Sequence, residues 1–416
     1  MQVSVATPSA GPPHTPRPRV SDATLRDSAH MPGVDFTPQD AAVIAGLLRD
    51  VGIDAIEAGI VSGADPCDTE LCRAVLDEVG PERAMTLILA RNREQVRRDL
   101  ELVAALGFTS VMVSVPTSPS HARLKLGTDS RRRVTALATA SIAEAKARGM
   151  VTTFSAEDGA RTDVGFLEEY VAAGAEAGAD RFRFAETVSA LRVNDAAEIV
   201  GRLVRAVPGI EVEIHSHNML GLAVANALAA AEAGAHWISA TVGGLGERGG
   251  NTPLAEVLAC MWRFWDDRRY DLSRLTELTR EVAARGGSAF SGSAGPTAEH
   301  AFRYEIAGQW SHPEDFEAVP AELVGNARDV RVRRRLRPAL LRACLPAELL
   351  DGLDLDAVVA GILAHDLPDG TATLSLADLR RAVAGYAGRA ADTGPSREAD
   401  APQEQETAAP RQRELV

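Results

Sequence analysis

Lysine is nearly missing from this chain: Lys125 and Lys146 are the only two among 44 basic residues, which stand against 58 acidic ones for a formal charge of −14. That balance excludes a broad cationic face for nucleic acid or for an anionic membrane, so an anionic substrate would have to be met by local arginines. Cysteine is also scarce. Cys67, Cys72, Cys260 and Cys344 are too few for a disulfide framework in 416 residues, and Cys67-x4-Cys72 lacks the second pair that a structural zinc site requires. They read as buried or free thiols. Long apolar runs are missing as well, since charge interrupts them every few residues, and Ser9-Ala-Gly-Pro-Pro-His near the N-terminus has no signal-peptide core. The expected location is the cytoplasm. With aromatics at only 4%, hydrophobic residues at 45% and 35 glycines, the composition fits a helix-rich α/β protein.

What is present is a repeating pattern. From Val20 to about Trp265, a short apolar run is followed by a longer segment of helical periodicity rich in Ala, Leu, Glu and Arg. A glycine suited to a helix C-cap then follows, as at Gly52, Gly107, Gly149, Gly178 and Gly234. Read as strands, the runs cover 20–26, 55–58, 84–90, 110–116, 151–155, 181–185, 211–217 and 237–241. Eight such units in about 250 residues predict a parallel sheet closed into a (β/α)8 TIM barrel, here over residues 19–273. An open doubly wound sheet is the alternative, but the first run is not followed by the G-x-G-x-x-G phosphate loop that such a fold carries at its first βα turn. Small helical C-terminal subdomains are expected over 274–387. Residues 1–18 are Pro-rich, and residues 388–416 carry few large apolar groups to offset ordering entropy, so both ends read as disordered segments.

In such a barrel the reactive groups project from the C-terminal ends of the strands. The seventh run ends His215-Ser216-His217, and residues two apart on a strand face the same side, so both imidazoles can serve one metal ion. The first run ends Arg26-Asp27, and the eighth leads through a glycine-rich loop to Asn251. Closure makes these three runs neighbours, which makes Asp27, His215, His217 and Asn251 candidate ligands of a single divalent ion. One carboxylate, two imidazoles and an amide leave open positions and residual positive charge, suited to a 2-oxo acid bound through its carboxylate and ketone. Zinc, magnesium and manganese all fit a mixed nitrogen and oxygen site. Arg26 could stabilise the alkoxide formed by attack on that ketone, or pair with Glu57 or Glu213 across the barrel.

Five segments, in order, resemble the DRE-TIM metallolyase family: Asp22-Ala-Thr-Leu-Arg-Asp27, Phe154-Ser-Ala-Glu-Asp158 with Arg161-Thr-Asp163, Ala185-Glu-Thr-Val188, His215-Ser-His-Asn-Met-Leu-Gly-Leu-Ala-Val-Ala-Asn226 and Gly246-Glu-Arg-Gly-Gly-Asn251. The likeness spans about residues 20 to 310 and is strongest to the 2-isopropylmalate, homocitrate and citramalate synthases. It implies a Claisen-type condensation in which acetyl-CoA loses a methyl proton, its enolate attacks a metal-bound 2-oxo acid, and the thioester is hydrolysed to a 2-hydroxy di- or tricarboxylate. The resemblance implies metal ligation by Asp27, His215, His217 and Asn251 and a catalytic role for Arg26. It places Glu57, Ser155, Glu157, Thr187 and Glu213 in the substrate cavity, with Thr187 on the substrate carboxylate. It also implies a homodimer in which the region after the barrel covers the partner's site.

The departures from the family pattern carry information too. His30 stands where the family has a substrate-side glutamine, Met219 replaces a carboxylate beside the ligand motif, and Thr297 occupies the place of the histidine that works with acetyl-CoA. Glu157 and His300 are then the candidates for the base. Arg91, Arg161 and Arg183, with His30, point to a cationic site for an anionic oxo acid such as oxaloacetate, 2-oxoglutarate or phosphonopyruvate. The last would make the chain similar to the phosphonomethylmalate or phosphinomethylmalate synthases. A carbon–carbon lyase of the 3-hydroxy-3-methylglutaryl-CoA (HMG-CoA) type and a catalytically inactive metal-binding regulator remain as alternatives.

Overall fold

Runs such as Ala84-Met-Thr-Leu-Ile-Leu and Ser110-Val-Met-Val-Ser-Val are apolar on both faces, which suits strands covered by helices outside and by their own side chains within. The computed structural model describes residues 17–30, 34, 36–63, 66–247, 249–286, 295–298, 301–317, 319–332, 336–367 and 373–392. In it these runs form β1 (Arg19–Asp22), β2 (Ala55–Ile60), β3 (Ala84–Leu89), β4 (Ser110–Pro116), β5 (Val151–Glu157), β6 (Arg181–Glu186), β7 (Glu211–Ser216) and β8 (Trp237–Ala240). Each strand pairs in parallel with the next, and β1 closes on β8 from Arg19↔Trp237 to Asp22↔Ala240. The sheet is a closed barrel, not an open doubly wound one.

Local signals set the outer helices. Thr37 and Asp40 cap each other's backbone at the start of Pro38–Val51, and Gly52 ends that helix at φ 94°, where its amide reaches the carbonyls of Leu48 and Arg49. Ile44, Leu48, Val75, Leu100, Ile142, Leu167 and Val200 face inward from this ring of helices onto Ile56, Ile88, Val113, Phe154 and Ile214 of the strands.

The first strand departs from expectation. It stops at Asp22, whose carboxylate accepts hydrogen bonds from the Thr24 amide at 2.9 Å and the Thr24 hydroxyl at 3.0 Å. This bond offers the backbone an alternative to the ladder, and Thr24–Asp27 forms one helical turn. Arg26 and Asp27 therefore sit in that turn rather than on a strand end.

A charged layer fills the barrel at mid-height. Arg183 of β6, 2% exposed, donates through Nη2 to Glu57 Oε1 of β2 at 2.6 Å and to Glu213 Oε1 of β7 at 2.9 Å. Burial would raise the Glu57 carboxyl, but Arg183 and Arg26 outweigh it and hold it at about 2. Removing the shared cation would leave two buried carboxylates facing each other with one cation each, Arg26 for Glu57 and the more distant Arg181 for Glu213. Arg183→Met is expected to lose about 3–5 kcal/mol of stability, measurable by urea unfolding, and a loss below 1 kcal/mol would contradict this view of the layer.

The chain divides into two compact units. The first runs to Phe302 and regains residues 317–328; the second holds 303–316 and the residues from Asp329 onward. Helix Leu275–Arg285 belongs to the first, because Leu275, Leu278 and Val282 join the apolar shell around the barrel, so the boundary expected at 273/274 lies within this unit. In the second unit, Asp329–Val332 pairs in parallel with Arg303–Tyr304 and antiparallel with Leu374–Ser375. Helices including Pro338–Cys344 and Leu355–His365 bury Leu341 and Ile362 with Val330 and Leu379. The C-terminal region is thus helical with a small sheet. Among the described residues no helix is long and apolar enough to cross a membrane.

Helix Leu254–Trp265 carries a carboxylate on a largely buried position, Glu256, and burial pushes its pKa up to about 7. The folded state therefore holds a proton that the unfolded chain releases near pH 4.5, so the stabilisation is present below that value and is lost as pH rises through 7. Glu256→Gln keeps the neutral form at every pH. Its melting temperature should match that of the wild type at about pH 4 and exceed it at about pH 8.5. An offset that does not change with pH would contradict the shift.

Candidate active site and metal centre

Four ligand candidates meet at the C-terminal mouth of the barrel. Asp27, His215 and His217 are buried and each offers one ligand atom, all within 4.8 Å of one another. His215 Nδ1 is 3.0 Å from Ser239 Oγ on β8, and His217 Nδ1 lies 3.2 Å from the Glu247 carbonyl oxygen. Partners on Nδ1 orient each ring and direct Nε2 to the shared site, the usual support for a metal-binding histidine. The rings stand edge to face, 5.2 Å apart.

Asn251 arrives by a different route. The loop after β8 folds back so that Asn251 bridges His217, with its amide donating to the Gly244 carbonyl at 2.9 Å. Its Nδ2 donates to Asp27 Oδ2, while Oδ1 is buried with no hydrogen-bond partner. An orphaned amide oxygen beside a carboxylate and two imidazoles fits an oxophilic divalent cation. The cradle also demands glycine at two points. Gly246, at φ 154°, leaves no room for a Cβ, which would lie 2.0 Å from Asn251 Nδ2 and 2.9 Å from Asp27 Oδ2. At Gly250, with φ 93°, a Cβ would fall 2.2 Å from the Gly244 carbonyl oxygen.

The electrostatics suit the same assignment. Burial would raise the Asp27 carboxyl, but Arg26, the two imidazoles and the Asn251 amide outweigh it and hold it below the ordinary range. Burial, followed by Arg183, His217 and Arg26, pushes His215 well below its ordinary value and keeps the imidazole neutral, as a metal ligand must be. Arg26 bonds both Asp27 and, through Nε at 2.8 Å, Glu57.

A cavity of about 350 Å³ opens beside these ligands, and Arg26, Asp27, Arg91, Ser155, Glu157, Arg183, Thr187, His215 and His217 all reach it. Glu57 and Glu213 are not on its wall; they lie deeper, committed to the Arg183 layer. Arg183 itself is not an unpaired cation, since those two carboxylates hold it. Arg161 is not in the cavity either. It is spent on Asp158, with Nη2 2.7 Å from Oδ2 and Nε 2.9 Å from Oδ1. The backbone of His30 closes a 3₁₀ turn, Ser28–His30, but its side chain lies outside the described residues, as does the whole of His300.

Two wall residues escape a search confined to strand ends. His121 and Lys125 sit on helix Pro119–Leu126 after β4, one turn apart and so on one face. His121 Nδ1 lies 2.6 Å from Glu157 Oε1, and Lys125 Nζ donates to the same oxygen. Their signal was present: Ser118, which caps the His121 amide, followed by Pro119 at the first helical position, marks a helix start.

A closed eight-stranded barrel with a buried His-x-His, an aspartate and an asparagine at its C-terminal mouth defines a TIM-barrel protein with a candidate metal site. The HMGL-like family model matches residues 17–282, and the chain belongs to this family, the DRE-TIM metallolyases. It is 35% identical over 335 residues to a 2-phosphonomethylmalate synthase of Streptomyces rubellomurinus, covering 79% of this chain and 87% of that one. A homocitrate synthase of Sulfurisphaera tokodaii is 33% identical over 353 residues, 83% of this chain and 76% of the relative. Among solved structures, the HMG-CoA lyase of Brucella melitensis aligns with a TM-score of 0.56 at 17% identity, covering 65% of this chain and 99% of the lyase. That likeness is one of fold.

Proposed function

We propose that this chain is an acyltransferase that condenses acetyl-CoA with a 2-oxo acid, releasing free CoA and a 2-hydroxy di- or tricarboxylate. The observation that carries this is the convergence of Asp27, His215 and His217, with Asn251 bonded to Asp27, beside Arg26 at one cavity that Ser155, Glu157 and Thr187 also reach. Relatives of the 2-phosphonomethylmalate and homocitrate synthase type support the reading. Asp27, His215, His217 and Asn251 would hold a divalent ion, zinc, magnesium or manganese, which would supply positive charge to polarise a ketone.

The chain's own groups then have separate tasks. Thr187, at the end of β6, binds the oxo acid's carboxylate. Arg26, fixed between Glu57 and Asp27, holds its guanidinium beside the mouth and stabilises negative charge that grows on the ketone oxygen. Glu157 faces the cavity and takes the methyl proton of acetyl-CoA, with His121 and Lys125 holding its carboxylate in place. By resemblance to its family, the enzyme works as a homodimer; its sequence points to the cytoplasm.

Thiol release from acetyl-CoA tests the reading. It should depend on both an oxo acid and a divalent ion, stop on chelation and return on adding the ion back. Metal-loaded protein that releases no thiol with any of a panel of oxo acids would contradict it.

A further inference from the structure

We infer that Ser189 is a positioning residue: its hydroxyl clamps the loop after β7 to the loop after β6 and so holds the metal ligand His217 in place. This rests on the metal centre proposed above and names a residue that steadies it.

The two histidines differ in their backbone support. His215 lies inside β7, where Ala185 on β6 and Ser239 on β8 are its partners in the ladder. His217 lies one residue past the strand, which ends at Ser216, and there an isolated bridge to Asn251 replaces the ladder. A metal ligand must keep its place to a fraction of an ångström, so a ligand beyond a strand end needs other bonds. Ser189 supplies two. Its Oγ donates to the His217 carbonyl at 3.1 Å and accepts from the Met219 amide at 3.1 Å, so one hydroxyl spans both sides of Asn218. These partners lie 28 and 30 residues along the chain, which separates the contact from a local serine turn. The His217 amide completes the hold by donating to the Glu186 carbonyl at 3.1 Å.

Ser189 is itself held in a conformation that serine seldom adopts. Its φ of 53° lies in the left-handed region, shared by only two other non-glycine residues among those described. Glu186, fully buried, accepts the Ala190 amide on Oε1 at 2.6 Å, with the amides of Val188 and Ser189 also turned to its carboxylate. The chain after β6 is thus wound round one carboxylate. Backbone strain persists where the surroundings over-determine it, and here they aim a hydroxyl at the next loop. The same turn carries Thr187 and Val188 on the cavity wall, so one side chain ties the substrate-side threonine to a metal ligand.

Ser189→Ala and Ser189→Gly both remove the hydroxyl, and glycine also relieves the left-handed φ. Zinc and manganese are each titrated calorimetrically into metal-free protein, whose melting temperature is measured alongside. Both variants should bind the ions at least about 10-fold more weakly, as loss of a group that orients a metal ligand typically does. Met219 is 58% exposed, so water can replace the hydroxyl at its amide, and the metal-free variants should melt within about 4 °C of the wild type. Ser189→Thr keeps the hydroxyl and should retain most of the affinity, although its branched side chain is strained at this φ and lowers the melting temperature. A role in folding alone would make affinity follow melting temperature across the three variants. That pattern, or unchanged affinity in both Ser189→Ala and Ser189→Gly, would overturn the inference. Wild-type protein that takes up neither ion would overturn it together with the metal centre. Weakened metal binding in the variants with no thiol release in the wild type would instead count against the condensation and leave the clamp standing.

Discussion

Asp27→Ala and His217→Ala are expected to give folded protein that no longer holds its metal ion and turns over at least about 1,000-fold more slowly. A Lewis acid supplies several kcal/mol of charge stabilisation, and each 1.36 kcal/mol is a factor of ten in rate. The barrel should survive, because these residues sit at its mouth while its stability comes from the apolar shell between strands and helices. Arg26 keeps Glu57 as a partner after Asp27 is removed, so no buried cation is stranded. Elemental analysis beside circular dichroism checks both halves. Full metal occupancy in both variants would remove Asp27 and His217 from the ligand set.

The second large effect falls on Glu157. Glu157→Gln preserves shape and can still bond His121, but it cannot accept a proton, so kcat should fall by about 100- to 10,000-fold with little change in oxo-acid binding. Proton exchange on the methyl of acetyl-CoA, followed by NMR in deuterated water, isolates the step. It should stop in the variant. Wild-type exchange in Glu157→Gln would move the base elsewhere, with His300 the other candidate from sequence.

The barrel was legible because alternation of apolar run and amphipathic helix is a local signal repeated along the chain, and His215-Ser216-His217 was legible because strand period alone puts both rings on one side. Where local and global signals separate, reading fails. Val20 to Arg26 looks like one strand by composition, yet a side-chain bond from Asp22 to the Thr24 amide ends it, and the resulting turn is what carries Arg26 and Asp27. Arg183 shows the opposite limit. Its inward direction follows from spacing and Glu213 is its partner on the next strand, but Glu57 on β2 becomes its neighbour only when the sheet closes. His121 and Lys125 were hidden for a third reason: they line the cavity from a helix, while strand ends are where a barrel's chemistry is sought first.

Carbon–carbon bond formation is the central claim, and product analysis meets it most directly. Metal-loaded protein is supplied with methyl-13C acetyl-CoA and an oxo acid, and the label is followed by NMR and mass spectrometry. The expected product carries the labelled carbon as a CH2 bonded to a tertiary alcohol carbon, with a mass equal to acetate plus the oxo acid and one equivalent of free CoA released. Label recovered only in acetate would mean simple thioester hydrolysis, and label left in acetyl-CoA would mean no reaction. Either result would contradict the assignment of this barrel as a condensing enzyme.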